Sequence, residues 1–347
     1  MISDLQKEKI AIQVIRTLYA QFEKFPDDIS KNRNAPFHEA FLKAFSGKLE
    51  GKVHSIPVFI SLSSWMHGLN TSLGQSFFER TAYILSNSKK KDFKNNTITE
   101  LQISQISKII TELQNRRGDT KPNLQSENER IWSANYGAED FAHDFTIDIF
   151  WEDETEVVAI EAKTVRPNSD VSKLTKDKIL RAKCVLKKLY PDKDVKYFYG
   201  FPFDPYGVNP TTSDKTEFMR KNVNFSKYFA EDEVLLASEF WDYISGTPNT
   251  METILEIINQ IATAEFPVKR EFLQNKSNAE SYEQDYMALL SLWHLGREKV
   301  LIGNESHIRQ QINGNRALTR IFNQDIFIKG DYNENRVSQL LSLIISN

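Results

Sequence analysis

The centre of the 347-residue chain has the pattern of a β-hairpin, and this pattern limits the fold more than any other stretch of the sequence. Apolar residues alternate with other residues over 145–151, as in a strand with one buried face. An acidic turn at 152–155 separates this strand from a second one at 157–165, which is rich in β-branched residues. A helix at 174–190 and a strand at 194–203 are predicted next. The sequence therefore predicts a mixed α/β fold around this hairpin.

Helical patterns flank the hairpin on both sides. Thr71–Ser86 is predicted to be one helix that begins with a capping box at 72–75, and Ser88–Asn96 is predicted to be a basic loop. Residues 57–60 could form a short strand. The predicted regions are a helical N-terminal region at 1–70, the α/β core at 71–230 and a helical C-terminal region at 231–347.

Charged side chains occupy one face of the predicted hairpin. Glu161 and Lys163 are two residues apart, so they point to the same side of their strand. If the turn is centred on 153–154, Asp148 pairs with Ala159. Asp148 then lies one diagonal step from Glu161, roughly 7–8 Å between backbones. The sequence therefore predicts two carboxylates and a lysine close together.

These three groups suit metal-assisted hydrolysis of a phosphodiester. Neighbouring carboxylates resist joint ionisation, and a divalent cation relieves their repulsion. Magnesium prefers carboxylate oxygens, keeps several waters and also binds phosphate. Lys163 could orient or help to deprotonate the attacking water and could neutralise developing charge. The alternative is a solvated ion pair that contributes little, but Glu161 stands in an otherwise apolar strand, where an unpaired acid is costly to bury.

Charge is segregated in this part of the chain, although the net charge of the whole is only −3. Residues 139–156 contain eight acids and no Lys or Arg, whereas residues 163–188 contain nine basic residues and two acids. A basic helix is often only a solvated surface. Directly after a candidate metal site, it is also where a phosphate backbone would lie.

The location of the protein is also predicted from its sequence. The single cysteine excludes an internal disulfide and any cysteine-based metal site. The N-terminus lacks the pattern of a signal peptide, and no stretch has the composition of a membrane span. We therefore expect a cytoplasmic protein with no membrane partner.

The motif of Asp148 followed by Glu161-Ala162-Lys163 resembles that of the PD-(D/E)xK nuclease superfamily. The predicted order of helix, strands, helix and strand resembles its core as well. Ile147 stands where the superfamily motif has proline. The resemblance implies an α/β fold with a restriction-endonuclease-like core, an α-β-β-β-α-β mixed sheet, with helical additions at both ends.

The resemblance extends to TdeIII-like type II restriction endonucleases. It rests on Trp65–Glu79, on Glu161–Asn168 and, more weakly, on Glu239–Asp242, and it covers roughly residues 60–250. It implies a magnesium-dependent homodimer that cuts double-stranded DNA at a short palindrome, of the GGNCC type in the members compared. Such an enzyme works alongside a DNA methyltransferase.

The resemblance also assigns roles to residues. Asp148 and Glu161, helped by the Ala162 carbonyl, would bind Mg²⁺; Lys163 would position the attacking water, and Glu79 would be an accessory acid. Further residues near the motifs are candidates for DNA binding: Gln75, Arg166, Asn168 and Lys173.

Two other functions and one other acid remain open at this point. A repair or junction nuclease would share the same core, and a non-catalytic DNA-binding or assembly module would carry the acids as surface charges. Asp144 is the alternative first acid if the hairpin register differs, because it lies four residues before Asp148 and would keep the same face.

Overall fold

The computed structural model describes residues 1–26, 36–53, 55–115, 120–163, 169–207, 209 and 211–345. The chain forms two compact units. One consists of Met1–Ile2 and Glu79–Thr253, and the other of Ser3–Phe78 and Ile254–Asn347.

The elements of the described residues are numbered along the chain. The helices are α1 (Asp4–Phe22), α2 (Pro36–Leu42), α3 (Ser46–Leu49), α4 (Ile56–Ser72), α5 (Glu79–Ser86), α6 (Glu100–Asn115), α7 (Leu124–Ser133), α8 (Ser169–Leu189), α9 (Lys215–Lys221), α10 (Val223–Ser226), α11 (Ser238–Ser245), α12 (Thr250–Ile261), α13 (Phe266–Gln274), α14 (Ser277–Ser281), α15 (Glu283–Leu292), α16 (Gly296–Gly303), α17 (Glu305–Gln311), α18 (Arg316–Phe322) and α19 (Glu334–Ile345). The strands are β1 (Lys89–Phe93), β2 (Thr97–Thr99), β3 (Glu139–Phe141), β4 (Phe145–Glu152), β5 (Glu156–Ala162), β6 (Asp194–Phe201), β7 (Val234–Leu236), β8 (Phe327–Ile328) and β9 (Asp331–Tyr332).

The first unit is built on a five-stranded mixed sheet with the order β1-β4-β5-β6-β7. β1, β4 and β5 pair antiparallel, whereas β5, β6 and β7 pair parallel. The parallel step from β5 to β6 needs a crossover connection, and α8 lies within it. The expected mixed α/β fold with a restriction-endonuclease-like core is confirmed.

Helices cover both faces of this sheet, so the central strand is buried on both sides. Residues 157–160 of β5 are fully buried, which explains their uninterrupted apolar run. On one face, α11 packs so closely that a Cβ on Gly200 would lie 2.5 Å from the ring of Phe240. On the opposite face, α8 reaches Glu161 through Lys178.

The hairpin of β4 and β5 forms, but its register differs from the prediction. Phe150, not Asp148, pairs with Ala159. The predicted pairing of Asp148 with Ala159 is therefore wrong by two residues. Because a shift of two residues keeps every side chain on its face, Asp148 still lies on the side of Glu161.

The turn explains this shift. The backbone N–H of Asp153 donates to the carbonyl of Glu156 at 3.0 Å, which closes a turn over residues 153–156. The Asp153 carboxylate accepts hydrogen bonds from the backbone N–H groups of Thr155 and Glu156 at 2.7 and 2.9 Å. These bonds hold the pKa of Asp153 below its ordinary value. The side chain thus stabilises a turn centred between residues 154 and 155, one residue later than predicted, and this moves the strand pairing by two residues.

Three local predictions are wrong. The predicted basic loop at Ser88–Asn96 contains β1, an edge strand that pairs with β4. Residues 57–60 belong to α4 and not to a strand. The predicted capping box at 72–75 does not form, because α4 continues to Ser72 and a π-helical stretch follows at Leu73–Phe78. The Ser72 hydroxyl instead donates to the Gly68 carbonyl at 3.0 Å.

The second unit is mostly helical and is held together by ion pairs as well as by apolar packing. Glu8 of α1 is buried and pairs with Arg297 at 3.0 Å. Arg336 of α19 pairs with the fully buried Glu298 at 2.7 Å. In the part of the chain that the structure describes, no helix combines the length and the apolar character that crossing a membrane requires.

Candidate active site

Asp148 lies on β4, one residue before the first paired position of the hairpin. Its Oδ2 accepts a hydrogen bond from the backbone N–H of Ala162 at 3.1 Å, which ties the carboxylate to the end of β5. The side chain is 17% exposed. Burial raises the pKa of Asp148, and the nearby negative charge of Glu161 raises it further. Asp148 is thus a carboxylate whose negative charge is poorly compensated.

Glu161 lies on β5 and is buried. Its two oxygens bind two ammonium groups: Lys163 Nζ at 2.7 Å from Oε1 and Lys178 Nζ at 2.6 Å from Oε2. Burial opposes the ionisation of Glu161, but the charges of Lys178 and Lys163 outweigh it and hold the pKa below its ordinary value. This carboxylate is therefore ionised at neutral pH.

Lys163 directly follows β5. Its backbone N–H donates to the Gly200 carbonyl at 2.9 Å, so the chain stays aligned with β6 at this point. Burial opposes the charged form of Lys163, but the charges of Glu161 and Asp148 outweigh it and raise the pKa. The side chain is an ammonium group at neutral pH.

Glu79 begins α5 and belongs to the same unit as the sheet. The Tyr83 hydroxyl donates to the carbonyl of Asp148 at 2.8 Å and lies 3.5 Å from Glu79 Oε2, which links α5 to the hairpin. Burial raises the pKa of Glu79, the charge of Lys90 opposes this, and the charge of Asp148 adds to it. The structure therefore brings Glu79 into the electrostatic field of Asp148.

The donors at this site fit a hydrated divalent cation. No group of three or more His, Cys, Asp and Glu side chains within the described ranges is arranged to hold a metal ion. Magnesium, however, is commonly held by one or two carboxylates together with waters and substrate phosphate. Asp148 and Glu161 supply two such carboxylates, and Asp148 carries the raised pKa that a cation would relieve.

The other predicted site residues lie in different places. Lys173 is on α8, where its Nζ donates to Gln114 Oε1 at 2.8 Å. Gln75 is exposed in the π-helical stretch and belongs to the second unit. Asp144 is exposed before β4 and accepts from the backbone N–H of Asn95 at 3.0 Å, so Asp148 is the acid beside Glu161. Arg166 and Asn168 lie outside the described residues.

Sequence reasoning missed three residues at the site. Lys178 binds Glu161, Lys90 Nζ lies 4.0 Å from Asp148 Oδ1, and Tyr83 supports the backbone of Asp148. Tyr83 follows Glu79 by one helical turn, a spacing that places both on one side of α5. The sequence offered no comparable signal for Lys178, because α8 carries basic residues along its whole length.

The fold and the motif together define a class of protein. A mixed sheet whose antiparallel hairpin places an acid beside a Glu-x-Lys motif is consistent with a PD-(D/E)xK nuclease. The sequence model of the type II restriction endonuclease family HinfI matches residues 2–262, and the chain belongs to this family.

One individual enzyme is similar in sequence to this protein over almost the entire length of both chains. The type II restriction enzyme MjaII of Methanocaldococcus jannaschii is 39% identical over 357 aligned residues, which cover 97% of this chain and 96% of the relative. The protein is thus a type II restriction endonuclease, a site-specific deoxyribonuclease, and the predicted class is confirmed. The family that matches is HinfI, whereas the motif comparison pointed to TdeIII-like enzymes. Restriction enzymes act on double-stranded DNA, and type II enzymes generally need a divalent metal ion.

Proposed function

We propose that this restriction endonuclease hydrolyses DNA phosphodiester bonds with Mg²⁺ held by Asp148, Glu161 and the carbonyl of Ala162. One observation carries the proposal: Asp148 Oδ2 accepts from the N–H of Ala162, next to the ion pair of Glu161 and Lys163. The acid of one strand and the Glu-x-Lys motif of the next therefore meet at one point. When bound, the ion would supply Lewis-acid stabilisation of the phosphate charge.

The side chains of this chain have separate roles in the proposal. Lys163 orients the attacking water and offsets the charge that develops on the phosphate. Its raised pKa keeps it charged, which favours these roles over that of a general base. Glu79 acts as an accessory acid beside Asp148, and Tyr83 fixes the backbone of Asp148 to α5.

Replacement of Lys163 tests the assignment. We expect Lys163→Met to reduce the rate of plasmid cleavage in Mg²⁺ by at least about a hundredfold, because the water loses its orienting group. Binding to the same DNA, measured by fluorescence anisotropy in EDTA, should change little. Lys196→Met is the matched control, since Lys196 pairs with Glu156 away from the site. Cleavage by Lys163→Met at the rate of the control would contradict the proposal.

The proposed target is a short palindrome of the GGNCC type, cut by a homodimer that works alongside a DNA methyltransferase. The resemblance of the motifs between residues 60 and 250 supports this target. A palindrome presents two equivalent half-sites, which two-fold symmetric enzymes match. Residues proposed to contact the DNA are Gln75, Arg166, Asn168 and Lys173. Sequencing the ends of digestion products would reveal the target, and ends without a common palindrome would contradict it.

A further inference from the structure

Both oxygens of the Glu161 carboxylate are occupied by ammonium groups. Lys163 Nζ lies 2.7 Å from Oε1, and Lys178 Nζ lies 2.6 Å from Oε2. Each oxygen keeps one lone pair, so a divalent ion could still coordinate, but it would then lie close to two positive charges. If Glu161 is a metal ligand, as the proposed function requires, a divalent ion bound there would be repelled by both ammonium charges, so the departure of one of them favours metal binding.

The two lysines differ in how they are held. Lys163 follows Glu161 by two residues, its charge is attracted by both Glu161 and Asp148, and the proposed function keeps its ammonium group at the site. Lys178 reaches across from another element, α8, to bind Glu161; the side chains of Lys163 and Lys178 are about equally exposed, at 33% and 32%. A long lysine side chain at a partly exposed position can turn towards solvent without a change in the backbone. Because the proposed function needs Lys163 at the site, Lys178 is the ammonium group that can leave.

The charge of α8 indicates where Lys178 would go. Lys176 and Lys183 of this helix are buried, but Lys173, Lys178 and Lys188 are partly or fully exposed, which is favourable next to a DNA backbone. A phosphate close to the site would accept the ammonium group of Lys178 at the moment when Glu161 accepts the metal ion. Each exchange replaces one ion pair with another, so neither charge is left uncompensated.

We propose that Lys178 occupies the cation position at Glu161 in the free enzyme and transfers to a DNA phosphate when the metal ion binds. The inference rests on the proposed metal-binding role of Glu161. Metal and DNA then bind cooperatively, because each favours the state in which Lys178 has left Glu161. Lys178 is a positioning residue that acts through Glu161, and it keeps the enzyme without DNA poorly loaded with metal.

Metal binding to the free, full-length protein tests this role. The probe is Mn²⁺ alone, followed by electron paramagnetic resonance. We expect Lys178→Met to bind Mn²⁺ about tenfold more tightly than the wild type, because removal of one competing charge favours the cation. The Mg²⁺ concentration that gives half-maximal DNA cleavage should also be lower for this variant than for the wild type. Lys178→Arg, which keeps the charge, should behave like the wild type in Mn²⁺ binding.

Lys188→Met is the matched control. Lys188 also lies on α8 and pairs with an acid at 2.7 Å, but that acid is Glu139, outside the site. The control should leave Mn²⁺ binding unchanged. Equal or weaker Mn²⁺ binding by Lys178→Met, in a protein that unfolds at the wild-type temperature, would overturn the inference. Asp148→Asn tests the proposed metal site separately. If this variant binds Mn²⁺ as tightly as the wild type, the metal site of the proposed function is wrong.

Discussion

At the scale of single residues, the two strand acids, Asp148 and Glu161, differ in how well their negative charges are compensated. Glu161 is buried but neutralised by two ammonium groups, and its pKa is lowered. Asp148 has one backbone N–H donor and a lysine at 4.0 Å, and its pKa is raised. In the free enzyme, the ionised Asp148 is therefore destabilised by burial and by the charge of Glu161. A bound metal ion would reduce this destabilisation.

This asymmetry predicts the behaviour of Asp148→Asn. The amide oxygen can still accept from the N–H of Ala162, while the repulsion with Glu161 is removed. Without metal at pH 7, the variant should have a higher free energy of unfolding than the wild type, measured in urea. In Mg²⁺, it should cleave DNA at least about a hundredfold more slowly, since transition-state stabilisation by a bound ion is worth several kcal/mol.

The difference in the free energy of unfolding between Asp148→Asn and the wild type should depend on pH. The pKa of Asp148 is raised in the folded state, so the native protein takes up this proton before the unfolded chain does. As the pH falls through the folded pKa, the wild type gains stability relative to the variant, and the difference between them closes. A variant less stable than the wild type at pH 7, or a difference that widens on acidification, would contradict this account.

At the scale of elements, α8 shows how one helix serves both stability and the site. Lys176 and Lys183 are fully buried on it, whereas Lys178 faces Glu161. Lys176 Nζ lies 2.5 Å from Glu127 Oε2 and 2.6 Å from Glu233 Oε1, so it neutralises two buried acids. Lys183 Nζ is 3.7 Å from Glu233 Oε1 and makes no hydrogen bond within the described residues.

We expect the two buried lysines to respond differently to replacement. Lys176→Met should lower the free energy of unfolding by about 3–5 kcal/mol, because it leaves two buried carboxylates without their shared partner. Lys183→Met should change it by less than about 1 kcal/mol at pH 7, since an apolar group of similar volume replaces a poorly compensated charge. Urea unfolding of both variants measures the contrast, and a Lys183→Met loss as large as that of Lys176→Met would contradict it.

The pH dependence separates the two variants further. Burial lowers the pKa of Lys183 to about 8. Between this value and the ordinary lysine pKa, the unfolded chain binds the proton and the native protein does not, so wild-type stability gains from rising pH. Relative to Lys183→Met, the wild type should become more stable from pH 8 to pH 10. A constant difference over this range would show that Lys183 titrates like an exposed lysine.

The sequence predicted the hairpin elements well, because alternation and β-branched residues mark strands over five or more positions. It also placed Asp148 and Glu161 on one face, since the face depends only on whether positions are odd or even. The register was wrong because it depends on the position of the turn, which the Asp153 carboxylate sets one residue later than predicted through hydrogen bonds.

Other features carried little or no local signal. β1 was missed because its first three residues are lysines, which are rare in strands; Lys91 fits there by placing its ammonium group 4.1 Å from the centre of the Phe150 ring. The capping box was predicted from spacing alone, and the tertiary contact of Ser72 with Gln21 at 2.9 Å took its place. Lys178 became identifiable only when the fold brought α8 over β5.

At the scale of the whole molecule, the number of active sites limits what one chain can do. Each chain contributes one set of Asp148, Glu161 and Lys163, and in the proposed function one such set would hydrolyse one strand at a time. A double-strand break at a palindrome therefore favours two chains related by a two-fold axis. We expect a particle of about twice the 40.2 kDa chain mass in sedimentation experiments.

Mixed dimers test this expectation through their products. A wild-type subunit and a Lys163→Met subunit with different affinity tags can be co-expressed and purified in tandem. If each subunit cuts one strand, the mixed dimer should convert supercoiled plasmid into nicked circles that accumulate, because only one half-site meets a complete active site. A dimer of wild type with Lys196→Met should give linear DNA, since Lys196 lies away from the site. Linear DNA from the Lys163→Met mixture, at the rate of the control and without nicked circles, would show that one active site cuts both strands.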